Sequence, residues 1–242
     1  MIVLFTDFSL HGPYVGQIRA AVLAEAPGMP VIDLMHDAPA YAPRPAAYLL
    51  ASLAEHLPAG TTFVCVVDPG VGGERRALLL ETEGRRFVGP DNGLLAVVAR
   101  RDPEACWAEI LWRPTHLSPS FQGRDLFAPV AARLARGATV ATRPLTDPVG
   151  ADWPETLAEV IYLDGYGNAF TGLSAAALPS GAKLCFGERC VARARTFSDV
   201  PPGTPFWYEN AQGLAEIAVN RGSAARILEL AVGQPLRVSC LG

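Results

Sequence analysis

The run Thr62 Phe63 Val64 Cys65 Val66 Val67 constrains this chain more than any other stretch. Its length and β-branched content are those of a buried strand, and it ends in Asp68 Pro69 Gly70 with two more glycines just beyond, Gly72 and Gly73. A strand that stops at an acid delivers a carboxylate to the carboxyl end of its sheet, where open α/β sheets bind ligands. Arg75 follows past a loop loose enough to fold it back toward Asp68. An acid and a base beside a glycine loop read as a site; an ordinary Asp-Pro-Gly turn is the competing reading of the same residues. Other punctuated stretches follow hydrophobic runs in the same way: Phe5 Thr6 Asp7 Phe8, then Gly89 Pro90 Asp91 Asn92 Gly93, then Phe121 Gln122 Gly123 Arg124 Asp125. Loops of this kind on one sheet would converge.

The flanking pattern predicts strands over 2–6, 31–35 and 62–67, with helices over 13–25 and 45–57 between them. Pro13 suits a first helical turn. Strand-helix alternation argues for a mostly parallel sheet with helices on both faces. A short hairpin over 77–88 turns at Glu83 Gly84 Arg85, and helices follow over 94–100 and 125–136. Beyond the proline-marked stretch 143–148 the runs shorten and alternate, at 159–163, 183–186, 190–194, 207–209, 214–219 and 236–240. That spacing predicts a small all-β barrel or sandwich. The expected division is an α/β domain over 1–148 and a β-barrel domain over 149–242.

At 242 residues the chain is long enough for an ample core. A net charge of −4 offers no electrostatic footprint for nucleic acid or an anionic membrane, so a small ligand or a protein partner is expected. The five cysteines contain no CxxC pair and read as reduced thiols of a cytoplasmic protein, with Cys185 and Cys190 the one plausible local pair. The opening residues read as a first strand and not as a secretory leader, and no apolar run is long enough to span a membrane. GxxxxGK[ST], GxGxxG after the first strand, HExxH and GxSxG are all missing, and the four histidines lack metal-ligand spacing. No metal and no cofactor are expected. Carboxylates, arginine and amides remain as the chemistry on offer.

Taken in order, FTDF (5–8), YVG (14–16), VVDPGVG (66–72) with Arg75, GPDNGLL (89–95), SFQGRDLFAPVAA (120–132), DGYGNAFT (164–171) and LAEIAVNRGSAA (214–225) resemble the S-adenosylmethionine hydroxide adenosyltransferases. These are relatives of the fluorinating and chlorinating enzymes that attack the same molecule. The resemblance covers nearly the whole chain. It implies an α/β domain joined to a β-barrel, a homotrimer with sites at the subunit interfaces, and hydrolysis of S-adenosyl-L-methionine to adenosine and methionine at ribose C5′, the sulfonium compound being substrate.

The sulfonium is already a good leaving group, so placing a partly desolvated water in line is the difficulty. Asp68 and Arg75 match the family's water-handling positions, and Asp7, beside Phe8, matches the carboxylate that holds the ribose hydroxyls. The resemblance further implies substrate contacts from Tyr41, Asp164, Tyr166, Asn168 and Phe170, and from Asn210 and Ala224 toward adenine.

This sequence departs from the hydrolases at Gln122, where they carry histidine. Glutamine holds a water by hydrogen bonds but does not change charge near neutral pH. Around the methionine end Gly12 stands where an aspartate is frequent, and Ala211 with Gln212 replaces the residues expected at the carboxylate. Two alternatives to hydrolysis follow: a catalytically silent adenosyl-binding protein, and halide-dependent adenosyl transfer, in which an anionic nucleophile needs no base.

Overall fold

The computed structural model describes residues 1–239, and the chain divides into two compact units, Met1–Glu155 and Thr156–Gly242. In the first, β1 (Ile2–Thr6), α1 (Tyr14–Glu25), β2 (Val31–Met35), α2 (Pro43–Ala54) and β3 (Thr62–Val66) alternate. They are followed by β4 (Ala77–Thr82), β5 (Arg85–Pro90), α3 (Ala96–Arg100), β6 (Cys106–Ile110), α4 (Ala128–Ala135) and β7 (Thr142–Pro144). A π-helical turn, Gly123–Phe127, leads into α4 where sequence periodicity predicts unbroken α-helix.

The seven strands form one sheet in the order β2-β1-β3-β5-β4-β6-β7. This corrects the expectation of a mostly parallel sheet: β2-β1, β1-β3 and β3-β5 pair parallel, whereas β5-β4, β4-β6 and β6-β7 pair antiparallel. For β4 and β5 the reason is connection length. Parallel neighbours need a crossover of about a dozen residues, and the Glu83-Gly84 turn between β4 and β5 permits only a hairpin. β7, exposed throughout, carries too little apolar content to announce itself.

Every residue of β1 and β3 is buried, the signature of a sheet covered on both faces. Ile2, Leu4, Val64, Val66 and Val88 point one way, against Ile18 and Val22 of α1 and Val130 and Ala131 of α4. The alternate residues Val3, Phe5, Phe63 and Phe87 are equally buried, with Phe63 and Phe87 stacked at 4.5 Å. α2, buried at Tyr48, Leu49 and Leu50, packs with α3.

The second unit contains β8 (Leu157–Leu163), β9 (Ala169–Ser174), β10 (Lys183–Phe186), β11 (Arg189–Val191), β12 (Pro205–Glu209), β13 (Leu214–Val219), α5 (Ala224–Ile227) and β14 (Arg237–Ser239). It is β-rich, with one four-stranded sheet, β12-β13-β9-β8, and one three-stranded sheet, β11-β10-β14, both antiparallel. β9 was not apparent in the sequence, because the glycine-rich turn before it masks its alternation. Trp207 is fully buried here and donates its indole N–H to the Ala182 carbonyl at 2.9 Å.

The reading of all cysteines as reduced is corrected as well. Cys185 and Cys190 face each other across the β10–β11 hairpin and form a disulfide. Cys65 is buried and its thiol is pushed well above the ordinary range by burial; Cys106 is an exposed free thiol, and Cys240 lies outside the described residues.

Candidate active site

The register of the parallel sheet builds the site. Thr6 of β1 pairs with Val66 of β3, and the Asp7 amide donates to the Val66 carbonyl at 3.3 Å. The residues that follow, Asp7 and Asp68, therefore emerge on adjacent strand ends and line one cavity of about 310 Å³. Phe8, Tyr41 and Gln122 line it too. The sequence-based candidates of this unit are thus brought together, with Arg75 bonded directly behind them.

Asp68 and Arg75 are both nearly inaccessible, their side chains 4% and 11% exposed. Arg75 donates from Nε to Oδ1 and Oδ2 of Asp68 at 2.9 Å each, and Nη2 bridges Asp68 Oδ2 to Gln122 Oε1, the latter at 2.9 Å. A guanidinium only donates, so Gln122 must turn its oxygen toward Arg75 and keep its NH2 as a donor. The Arg75 guanidinium also lies 5.3 Å from the Phe127 ring centre, on the face of the π-helical turn. The loop that returns Arg75 needs Gly72: its φ is +84°, and a Cβ there would meet the Pro119 carbonyl oxygen at 2.9 Å.

Asp7 accepts from the Tyr41 amide at 3.2 Å, and Tyr41 sits in the left-handed region with φ 58°. A tyrosine held there, with its ring 79% exposed, is a costly arrangement that keeps an N–H on the carboxylate. Burial raises the Asp7 pKa above its usual value, and the Asp68 charge adds to the effect, against the lowering by backbone N–H groups. Asp7 does not cap α1, whose N-terminus has no side-chain cap.

Sequence reasoning missed the aromatic wall. Tyr14 and Phe121 line the cavity with Phe8, and the three rings meet at centroid distances of 5.4 to 5.9 Å. Phe121 adjoins Gln122 in sequence, which was the available signal. Its loop is braced by Asp125, which accepts from the Ser118 amide at 2.9 Å and from Arg124, whose hydrogen bond holds the Asp125 carboxyl below the usual range.

In the second unit, Asp164, Tyr166 and Asn168 line a cavity of about 590 Å³ with Tyr208, Ser223 and Arg226. Asp164 is spent on its own turn: Oδ1 accepts from the Tyr166 and Asn168 amides at 2.9 and 2.8 Å, and Oδ2 from Asn168 Nδ2 at 3.1 Å. Gly167 is required there, because at φ +83° a Cβ would run into the Ser223 side chain. Tyr166 projects outward, 84% exposed.

Phe170 packs edge-on against Tyr162, Asn210 binds the Gln212 and Leu214 amides and Glu216, and Ala224 is fully buried. None of these three lines the Asp164 cavity. Glu216 was not foreseen. It is 2% exposed, accepts from Tyr208 Oη at 2.6 Å and Asn210 Nδ2 at 2.9 Å, and burial raises its pKa.

Residues 2–143 match the family model of the SAM hydroxide adenosyltransferase N-terminal domain, and residues 158–237 match that of the C-terminal domain. The chain belongs to this family. It is 39% identical to a Thermus thermophilus protein named (R)-S-adenosyl-L-methionine hydrolase, over 98% of each chain. It is 38% identical to one of that name from Salinispora arenicola, over 97% of this chain and 95% of the relative. Among solved structures, an uncharacterized conserved protein from Thermotoga maritima superposes with a TM-score of 0.89 over the whole of both chains at 31% identity.

Proposed function

We propose that this protein is an enzyme that hydrolyses S-adenosyl-L-methionine to adenosine and L-methionine. The observation that carries the reading is the bonded set Asp68–Arg75–Gln122 beside Asp7 in one cavity of a SAM hydroxide adenosyltransferase. Water attacks C5′; the C5′–O bond forms as the C5′–S bond breaks, and its electron pair leaves with sulfur as a neutral thioether. Asp68 accepts the water's proton, Arg75 holds Asp68 in place, and the Gln122 NH2 steadies the attacking oxygen where the hydrolases use histidine. Ionised Asp7 accepts from the ribose hydroxyls, and the Phe8–Tyr14–Phe121 wall excludes bulk water. Asn168 and Tyr166 are read as adenine contacts.

A silent binder and a halide-using enzyme are the less favoured readings, since the named relatives are hydrolases. We further read the protein as a cytoplasmic homotrimer with its sites at subunit interfaces. Exposed Tyr41 and Tyr166 support burial of those rings by another subunit, and among the described residues no helix is long and apolar enough to cross a membrane. The two sheets of the second unit are read as walls of a small barrel, supported by the bridges Arg193–Trp207 and Glu159–Pro235.

The test is incubation with S-adenosylmethionine, as separated sulfur epimers, in water enriched in the heavy oxygen isotope. Labelled adenosine above a protein-free control, formed faster from the R epimer that the relatives' names specify, is the expected result. Absence of labelled adenosine overturns hydrolysis.

A further inference from the structure

His36 is a buried histidine, 4% exposed, that no step of the reaction uses. Its place follows from an irregularity in the β1–β2 pairing: Leu4 faces Asp33 but Phe5 faces Met35, so Leu34 is extra and β2 bends. The bend carries His36 to the end of β1, where Nδ1 lies 2.7 Å from the hydroxyl of fully buried Thr6.

That hydroxyl also accepts from the Phe8 amide at 3.3 Å. The Thr6 carbonyl accepts from the Ala38 amide at 3.1 Å, and the His36 carbonyl accepts from the Ser9 amide at 2.6 Å. Ser9 takes up a left-handed φ of 62° to make that bond. The peptide that carries Asp7 and Phe8 into the cavity is therefore tied to residues 36–38 on both sides of Asp7.

Thr6 Oγ1 and His36 Nδ1 share one hydrogen bond, while the other ring nitrogen, Nε2, lies 3.2 Å from Asp33 Oδ1. Nε2 nevertheless lacks hydrogen-bond geometry, so Nδ1 makes the better-formed contact.

We propose that His36 is a positioning residue, aiming the ribose-binding carboxylate Asp7 through the hydrogen bond between its Nδ1 and the Thr6 hydroxyl. The inference rests on the reading of Asp7 given above. Two substitutions separate the ring nitrogens: Asn places an oxygen where Nδ1 stands, and Gln places an amide nitrogen where Nε2 stands.

The probe is adenosine, titrated calorimetrically into the full-length protein and its variants, with melting temperatures recorded and KM and kcat measured on S-adenosylmethionine. His36→Asn should bind within about twofold of wild type, whereas His36→Gln should bind about tenfold more weakly, the loss expected for one hydrogen bond. KM should rise in step with kcat little changed, the mark of lost uniform binding. Thr6→Val, which removes the hydroxyl and keeps the shape, should reproduce the Gln variant even if that variant folds poorly.

Equal affinities for the Asn and Gln variants, or wild-type affinity in Thr6→Val, overturn the proposal while Asp7→Ala still loses binding. Adenosine binding that is absent from wild type or unchanged in Asp7→Ala overturns the ribose reading, and this inference with it.

Discussion

The cavities of the two units are built on opposite plans. In the first, the carboxylates are anchored by residues far along the chain: Asp7 by the amide of Tyr41, and Asp68 by Arg75, which is itself bonded to Gln122. In the second, the holding is local, with Asp164 bonded to residues 166 and 168. Local turns are preformed and spend their polar atoms on themselves. A site assembled from strand ends keeps its carboxylates facing the cavity, but it exists only while the sheet keeps its register.

That contrast has consequences of graded size. The largest is in Asp68→Asn, which removes the proton acceptor while keeping an oxygen for Arg75. kcat at saturating substrate should fall about 10²-fold or more with KM nearly unchanged, and undiminished kcat would move catalysis out of the first-unit set. Next, Asp164→Ala strips three accepted hydrogen bonds from a local turn. Denaturant unfolding should show a loss of about 1–3 kcal/mol with kcat preserved. A large fall in kcat instead would mean that Asp164 does more than hold its turn.

The smallest effect concerns Glu216, whose pKa burial raises above its ordinary value of 4.5. The folded state then binds the proton more tightly than the unfolded one, so this contribution to stability is full below 4.5 and is lost as pH rises through the raised value. Glu216→Gln should remove that slope, so that wild type loses stability relative to the variant on going from acid toward neutral pH. Denaturation midpoints of the two proteins that keep a constant separation across this range would show that burial of Glu216 carries no such penalty.

Much of the frame was legible beforehand. The buried run ending at Asp68, the strand ending at Asp7 and the hairpin at Glu83-Gly84 are patterns of period and turn chemistry, which neighbouring residues encode. β7 and β9 were not, because an exposed or glycine-flanked strand has weak alternation and takes its identity from the strand it pairs with. Nor could spacing say which residues of the second unit would face a cavity: Asn168 does, while Phe170, only two residues on, packs against Tyr162.

By itself, then, the sequence determined that the strands ending at Asp7 and Asp68 are buried, that acids stand at their carboxyl ends, and to which family the motifs belong. The tertiary structure alone decided that half the sheet's pairings are antiparallel, that Arg75 reaches Gln122 as well as Asp68, that Tyr14 and Phe121 close a wall, and that His36 sits beneath Thr6. The physical reason is range. Periodicity and turn preference act over a few residues, whereas register, bulges and the burial of a charge are settled by partners that only the folded chain brings within hydrogen-bonding distance.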